Sequence, residues 1–435
     1  MRSADAWLIQ DATVDSTRVD CRIRDGRVVE LRAGLPELEG ESAISAGGGE
    51  LLPGLADHHI HLRAAAAARR STDLGGAGLT AMADDDGGTG WLRVIGAGAE
   101  LTRTDLDARW PHRPVRAQHR SGALWTLNSA ALATLRPGAS DEELRTGQFW
   151  RSTARLRSLL DLAREADLPG LAAQLAALGV THVTDATPDF TGAPMPQHVL
   201  SLGPDSLGPR KIVIPDHEAP DLGRLVHDVR GAHDAGRGVA LHVVSAVAMA
   251  VAIAALREAG SIDSDRIEHA AVCSDDAARA LAELGVTVVT QPSLVARHGA
   301  AYLAESPEDE RPLLWRYAGL QRLGVRVAVS SDAPYGDVDP WRTVAAATTR
   351  LSAGQVIGPD ERVAPTTAFS SLLAAPLDPG GPPRRVRAGC PADLCLLATS
   401  LDDALTSALA GEPVAVRSTF VDGHRVHAST GQTDS

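Results

Sequence analysis

The stretch Pro53-Gly54-Leu55-Ala56-Asp57-His58-His59-Ile60-His61 decides how the chain is read. Its pattern predicts a strand near 55–61, and on a strand side chains alternate. Asp57, His59 and His61 therefore share one face, while His58 and Ile60 share the other. Two imidazoles two residues apart at the C-terminal end of a strand can grip one metal ion from the same side. That end is also where the reactive groups of a parallel barrel collect. Paired histidines occur by chance, so the setting carries the weight: a Pro-Gly lead-in that follows a β-rich N-terminal segment. His58, on the opposite face, is expected to be structural.

Downstream, short β-branched runs alternate with Ala/Leu/Arg stretches of helical spacing. Val239-Ala240-Leu241-His242-Val243-Val244 precedes a helix near 246–258, and a helix near 275–283 precedes Val286-Thr287-Val288-Val289-Thr290. Repeated units of this kind predict an α/β fold with a parallel sheet, and about eight of them close as a (β/α)8 TIM barrel. Candidate strands fall near 55–61, 91–96, 114–118, 180–185, 211–214, 239–244, 266–270, 286–290 and 326–331. That set is one too many, so one of the earlier strands is expected outside the barrel. The two ends read differently. Trp7-Leu8-Ile9, the hairpin turned at Asp25-Gly26, Ala392–Leu397, and Ala415–Val421 turned at Asp422-Gly423 are strands. They predict one small sheet domain built from both termini, with residues 1–52 and 378–435 flanking a barrel over 53–377.

Composition narrows the function. The chain has 435 residues and a net charge of −13, which argues against a nucleic-acid surface, since phosphate binding needs clustered positive charge. The N-terminus lacks an apolar leader and no stretch approaches a membrane span, so a cytoplasmic protein with no membrane partner is expected. Cys21, Cys273, Cys390 and Cys395 are scattered without a Cys-x-x-Cys pair and read as ordinary small residues. Asp84-Asp85-Asp86-Gly87-Gly88 reads as a solvated loop. Among 42 basic residues Lys211 is the only lysine.

Three more candidate ligands end later strands: His242, His269 and Asp332. Each alone is equally well read as a satisfied polar group at a barrel rim. Together with His59 and His61 they form a converging set of imidazole and carboxylate donors, which suits zinc or a similar divalent ion. Lys211 opens Lys211-Ile212-Val213-Ile214, between the His59 strand and the His242 strand. A lysine amine can take up CO₂ to give an anionic carbamate that bridges two cations, which arginine cannot do.

In this order of strand-end residues the chain resembles the amidohydrolase superfamily. The flanking text is most similar to amidohydrolase family 3, which includes N-substituted formamide deformylases. The matching pieces are Gly90-Trp91, Leu106-Asp107, Arg113-Pro114-Val115, Asn128–Leu132, Gly179-Val180-Thr181, Arg266–His269, Thr290-Gln291-Pro292, Ser331–Pro334 and Asp339-Pro340. The resemblance implies that His59 and His61 hold a more buried metal, with carboxylated Lys211 as bridge. It implies that His242 and His269 hold a more exposed one, that Asp332 is both ligand and proton shuttle, and that the sheet domain of the two termini is a small β-sandwich. Three positions depart from the family pattern: Ala123 replaces a histidine, Ser245-Ala246 replaces Gly-Asp, and Pro215-Asp216 replaces Asp-Gly. The pocket is therefore expected to differ while the metals stay.

The expected activity is hydrolysis of a non-peptide C–N bond (amide, cyclic amide or formamide) in a small molecule, by water activated between two divalent ions, zinc for preference. His242 and Asp332 are the expected catalytic groups. Trp91, His119, Arg120, Trp125, Tyr335 and Trp341, near predicted strand ends, are candidate substrate contacts. Two alternatives stand beside this one. A mononuclear deaminase of an amino-heterocycle would use His59, His61, His242 and Asp332 with Lys211 unmodified. A non-catalytic scaffold would show eroded ligand positions, and none is eroded. A homo-oligomer is compatible with either enzyme.

Overall fold

The computed structural model describes residues 6–74, 90–98, 100–151, 153–160, 167–187, 195–204, 206–216 and 219–429. The acidic Asp84–Gly88 stretch lies outside the described residues. The chain divides into two compact units, one of residues 1–62 and 168–435, the other of residues 63–167.

The first unit contains eight parallel strands in two ladders. One ladder is ordered His198–Ser201, Val180–Asp185, Leu55–Ile60; the other runs Arg210–Val213, Val239–Val243, Arg266–His269, Thr287–Thr290, Arg326–Val329. Backbone bonds cross both seams, one at the first and two at the second. Lys211 N donates to Leu202 O at 2.9 Å, Asp332 N to His59 O at 2.8 Å, and His61 N to Ala333 O at 3.0 Å. The arrangement is TIM-barrel-like. The second ladder is the repeating β–α part of the chain. Helices Leu222–Asp234, Ala246–Ala259, Asp275–Glu283 and Pro292–Glu305 follow its strands, each opened by a recognisable start signal. Asp221, Ser245 and Ser274 cap the first three with their side chains, and Pro292 begins the fourth. Ser245, one of the departures from the family pattern, thus serves as a helix cap.

Two expectations about strands are corrected here. Leu92–Ala97 and Val115–His119 both lie in the second unit's sheet, so two early candidates fall outside the barrel-like set rather than one. His198–Ser201, which the sequence reading passed over, supplies the missing strand. All four of its residues are only half-buried, so the chain there lacks the apolar run that marks its neighbours.

Both termini contribute to two four-stranded sheets. One is ordered Arg27–Arg32, Thr17–Arg24, Trp7–Val14, Ser42–Ser45; the other His424–Ala428, Val416–Val421, Leu394–Leu397, Leu51–Pro53. One apolar core joins them: Trp7, Ile9, Cys21 and Ile23 pack with Leu394, Leu396 and Phe420. The Trp7 and Phe420 rings meet edge-on, with centroids 5.7 Å apart. Gly54 is where the chain leaves the second of these sheets for the first barrel-like strand. A Cβ there would lie 2.2 Å from Thr181 Cγ2, so the close approach needs glycine.

The second unit is a mixed sheet ordered Gln148–Trp150, Leu124–Leu127, Val115–His119, Leu92–Ala97, Thr72–Asp73. Fully buried Asn128 clamps it: its amide donates to Trp110 O and Arg113 O, both at 2.8 Å, and its carbonyl accepts from Val115 N and Ala131 N. Asp107 accepts from Ser129 N and Oγ. These family-like motif residues are structural. Among the described residues no helix is long and apolar enough to cross a membrane.

Candidate metal centre

His59 Nε2, His61 Nε2 and an Asp332 carboxylate oxygen come together: Asp332 Oδ1 lies 3.6 Å from His59 Nε2 and 3.4 Å from His61 Nε2. The first imidazole is fixed by strand alternation, the second follows the strand's last residue, and Asp57 holds the opposite side in place. Buried beneath them, Asp57 accepts from His59 N at 3.2 Å, Ser331 N at 3.0 Å and Ser331 Oγ at 2.5 Å. Desolvation pushes its carboxyl up to about 6. The residue before Asp332 is thereby tied to the strand that carries His59. His58 points the other way, and its Nε2 lies 2.8 Å from Ser371 O in the Pro365–Leu372 helix, as a structural histidine should.

His269 and Asp332 reach the site by a different route. Alternation along Arg266–His269 sends Arg266 and Glu268 to one face and should send His269 to the other. His269 instead has φ +73° and Asp332 has φ +50°, left-handed values that turn each side chain back inward. Such a conformation costs on the order of 1 kcal/mol or more in a non-glycine residue, and it clusters where function needs it. The His269 ring then lies 5.1 Å from that of His59 and 4.4 Å from that of His242, centroid to centroid. Its Nδ1 lies 2.8 Å from Gln291 Oε1, which leaves Nε2 aimed into the site.

Glu268 is the residue the sequence reading quoted without assigning it a role. It is wholly buried, with Oε2 2.5 Å from His59 Nδ1 and 3.0 Å from Arg266 Nη2, while Arg266 Nε bonds its Oε1. Arg266 also donates to His58 O. Burial alone would raise the Glu268 carboxyl; the Arg266 guanidinium and His59 outweigh it and hold the group well below the usual carboxylate range. An ionised Glu268 makes His59 Nδ1 the protonated nitrogen and leaves the Nε2 lone pair free.

Burial holds His59 (down to about 3), His242 and His269 neutral, the form that binds metal. Asp332 is held down at about 2: burial opposes this, but His61, His269 and His59 prevail. Lys211 is half-buried, donates from Nζ to Ala186 O at 3.1 Å, and has its ammonium disfavoured by desolvation. His59 Nε2, His269 Nε2 and Asp332 Oδ1 are buried polar atoms with no hydrogen-bond partner. Buried acceptors without partners are costly unless a cation satisfies them, and two of these three, on His59 and Asp332, belong with His61 to one tight donor group, so the residues present fit a divalent ion.

The candidate substrate contacts divide. Half-buried Tyr335 lies beside the centre, its ring 5.6 Å from that of His61. Trp341 does not reach it. Its side chain is buried, stacks on Phe369 at 5.2 Å and donates to Leu178 O, so packing explains it. Trp125 is likewise a core residue of the second unit, with the Arg93 and Arg116 guanidiniums each 5.4 Å from its ring centre. Trp91 packs against that same core, and His119 Nδ1 lies 2.8 Å from Ser121 Oγ. Arg120 N donates to Ala97 O at 3.0 Å.

Residues 214–427 match the profile of the amidohydrolase family. The match takes in His242, His269 and Asp332 and leaves out His59, His61 and Lys211. An N-substituted formamide deformylase of Arthrobacter pascens is 29% identical over 222 residues, 47% of this chain. The chain spans only 40% of that relative's length. Among solved structures, an uncharacterized metal-dependent hydrolase from Pyrococcus furiosus superposes with a TM-score of 0.68 at 20% identity, over 90% of this chain and 99% of that one. Another from Pyrococcus horikoshii OT3 gives 0.69 at 18% identity, over 97% and 100%. These two likenesses concern the fold.

Proposed function

We propose that this chain, whose residues 214–427 match the amidohydrolase family profile, is a member of that family and hydrolyses a non-peptide C–N bond in a small molecule with the help of bound divalent metal. The carrying observation is the convergence of His59, His61 and Asp332 donor atoms, with His59 Nε2 and Asp332 Oδ1 buried and without hydrogen-bond partners. His59 and His61 would hold one ion, His242 and His269 a second, and Asp332 and carboxylated Lys211 would complete the set, with zinc the ion these donors suit. When bound, the ions supply an activated water and polarise the scissile carbonyl. Asp332 takes the proton of the attacking water and returns it to the leaving nitrogen. Glu268 keeps His59 in the ligand tautomer. Neutral His242 faces the developing oxyanion, and Tyr335 borders the substrate. In the same reading the two four-stranded sheets form a β-sandwich from 1–52 and 378–435. The barrel spans 53–377, interrupted in sequence by residues 63–167.

One observation favours the mononuclear deaminase instead. The tight three-atom group contains His59, His61 and Asp332 only, and the Lys211 amine bonds a backbone carbonyl. The test is to strip the protein with a chelator, reload it with zinc, and screen N-substituted formamides, amides, cyclic amides and amino-heterocycles. Metal-restored release of a carboxylic acid and an amine supports the amidohydrolase. Ammonia from a ring amine with one ion at the centre supports the deaminase, and turnover by stripped protein overturns both.

A further inference from the structure

A second cluster of ligand-type side chains lies within the first unit, away from the residues assigned above. His182, His198 and Asp393 each offer one donor atom, and the three atoms all lie within 4.8 Å of one another. His182 comes from the Val180–Asp185 strand, His198 from the adjacent His198–Ser201 strand, and Asp393 from the residue before Leu394–Leu397 in the C-terminal sheet. The two strands pair in parallel with His182 opposite His198, which stacks the imidazoles at 4.8 Å between centroids. The cluster therefore joins a barrel-like strand pair to the sheet built by the termini.

We propose that His182, His198 and Asp393, with Asp422 beside them, form a structural divalent-metal site of the zinc class. The spacings support it. His198 Nε2 lies 3.0 Å from Asp393 Oδ1 and 3.5 Å from Asp422 Oδ1, and His182 Nε2 lies 3.8 Å from Asp393 Oδ2. Donors at 2.0–2.1 Å around a tetrahedral zinc ion are about 3.3 Å apart; the two His198 distances lie on either side of that value, and His182 stands somewhat farther from the other Asp393 oxygen.

The His182 ring gives the stronger argument. Its Nδ1 has two neighbours, Thr181 Oγ1 at 2.8 Å and Arg384 Nη1 at 3.3 Å. With Nδ1 accepting, the proton sits on Nε2, whose nearest carboxylate oxygen at 3.8 Å is beyond hydrogen-bond reach. With a cation at Nε2, Nδ1 carries the proton and Thr181 Oγ1 accepts it, the usual outer support of a ligating imidazole. Arg384 Nη1 then gives up Nδ1 as an acceptor, while its Nε and Nη2 keep Leu373 O and Gly54 O. Asp393 is fixed in turn, for Asp422 N donates to its Oδ1 at 2.9 Å. Burial and the Arg384 charge keep His182 neutral, its pKa near 3, as a ligand requires. Asp393 and Asp422 bring two negative charges to a cation of two positive ones.

The full-length protein, stripped with a chelator, would be titrated with zinc against a chromophoric competitor and its thermal midpoint followed. His198→Ala is the primary variant because that side chain is partly exposed, and His182→Gln is the second. The wild type should bind one zinc equivalent more than either variant, with affinity at that site lowered more than ~100-fold, beyond the 10–100-fold cost of losing an outer-shell partner. Its thermal midpoint should rise as that equivalent binds, and neither variant should show that rise. Anomalous diffraction at the zinc edge should place a peak against His182 Nε2 and His198 Nε2. The same zinc count and the same zinc-dependent midpoint in wild type and His198→Ala, or no peak there in loaded crystals, would overturn the proposal. The readouts are independent of turnover, so they separate from the outcome at the first centre.

Discussion

Replacing Glu268 by Gln alters one atom and tests how the first metal centre is held. In the protein the carboxylate is wholly buried between Arg266 and His59 Nδ1, at 2.5 Å from the latter. Gln has nearly the same shape but only one acceptor oxygen, so it can serve Arg266 or His59 and not both. Its amide group would turn an N–H toward the group left over. Removing one partner of a buried ion pair costs ~3–5 kcal/mol, and the acceptor that Gln retains returns part of that. A loss of about 3 kcal/mol in unfolding free energy is therefore expected, read by urea denaturation of metal-free protein. The second effect is on metal. Without the ionised carboxylate, His59 loses what sets its tautomer and basicity, and affinity at the first centre should fall ~10–100-fold. Competition titration on the folded variant measures this separately from stability. If Glu268→Gln binds zinc at the first centre within a factor of about two of wild type, Glu268 does not orient His59 and the account of that residue is wrong.

Four further outcomes follow. Lys211→Arg should be inactive although it keeps the charge, because guanidinium can neither take up CO₂ nor ligate metal, and Lys211→Ala should regain some turnover with added short carboxylic acids; normal turnover in Lys211→Arg would refute the bridge. Asp332→Asn should retain most of its metal and lose ~10²–10⁴-fold in turnover, the usual worth of a general base; near-normal rates would mean another residue carries the proton. Gly336→Ala would place a Cβ 2.1 Å from Ser331 O and 2.4 Å from Ser293 Oγ, forcing the turn after Asp332 to move. Denaturation should show a loss of ~1–3 kcal/mol, and an unchanged midpoint would show that the turn yields freely.

Much of this was legible because alternation and strand ends are sequence properties. His59 and His242 follow from strands that keep their pleat, and His58 follows from being one residue out of phase. Lys211 was visible as the only lysine. His269 and Asp332 were found by their place at strand ends, yet the reason they face inward is a left-handed backbone that no residue type announces. Glu268 went without a role because its partner His59 lies 209 residues away on another strand, although Arg266 stands two residues before it on its own. Asp57 was placed on the correct face, but its hold on Ser331 spans 274 residues of sequence. The second unit was missed as a unit. Its strands have the same apolar runs as the others, and only their pairing separates them. Trp125 and Trp341 show the limit of reading an aromatic near a strand end as a substrate contact, since burial, which sequence does not report, decides between wall and core.

The central claim is that His59 and His61 are the inner ligands of a metal centre. It is tested most directly by counting zinc equivalents in stripped wild-type protein and in the His59→Ala/His61→Ala variant, both confirmed folded by circular dichroism. The account predicts that the variant loses the tight equivalent held by His59 and His61 and keeps any bound at His182 and His198. An unchanged number of tight equivalents in the double variant would contradict it.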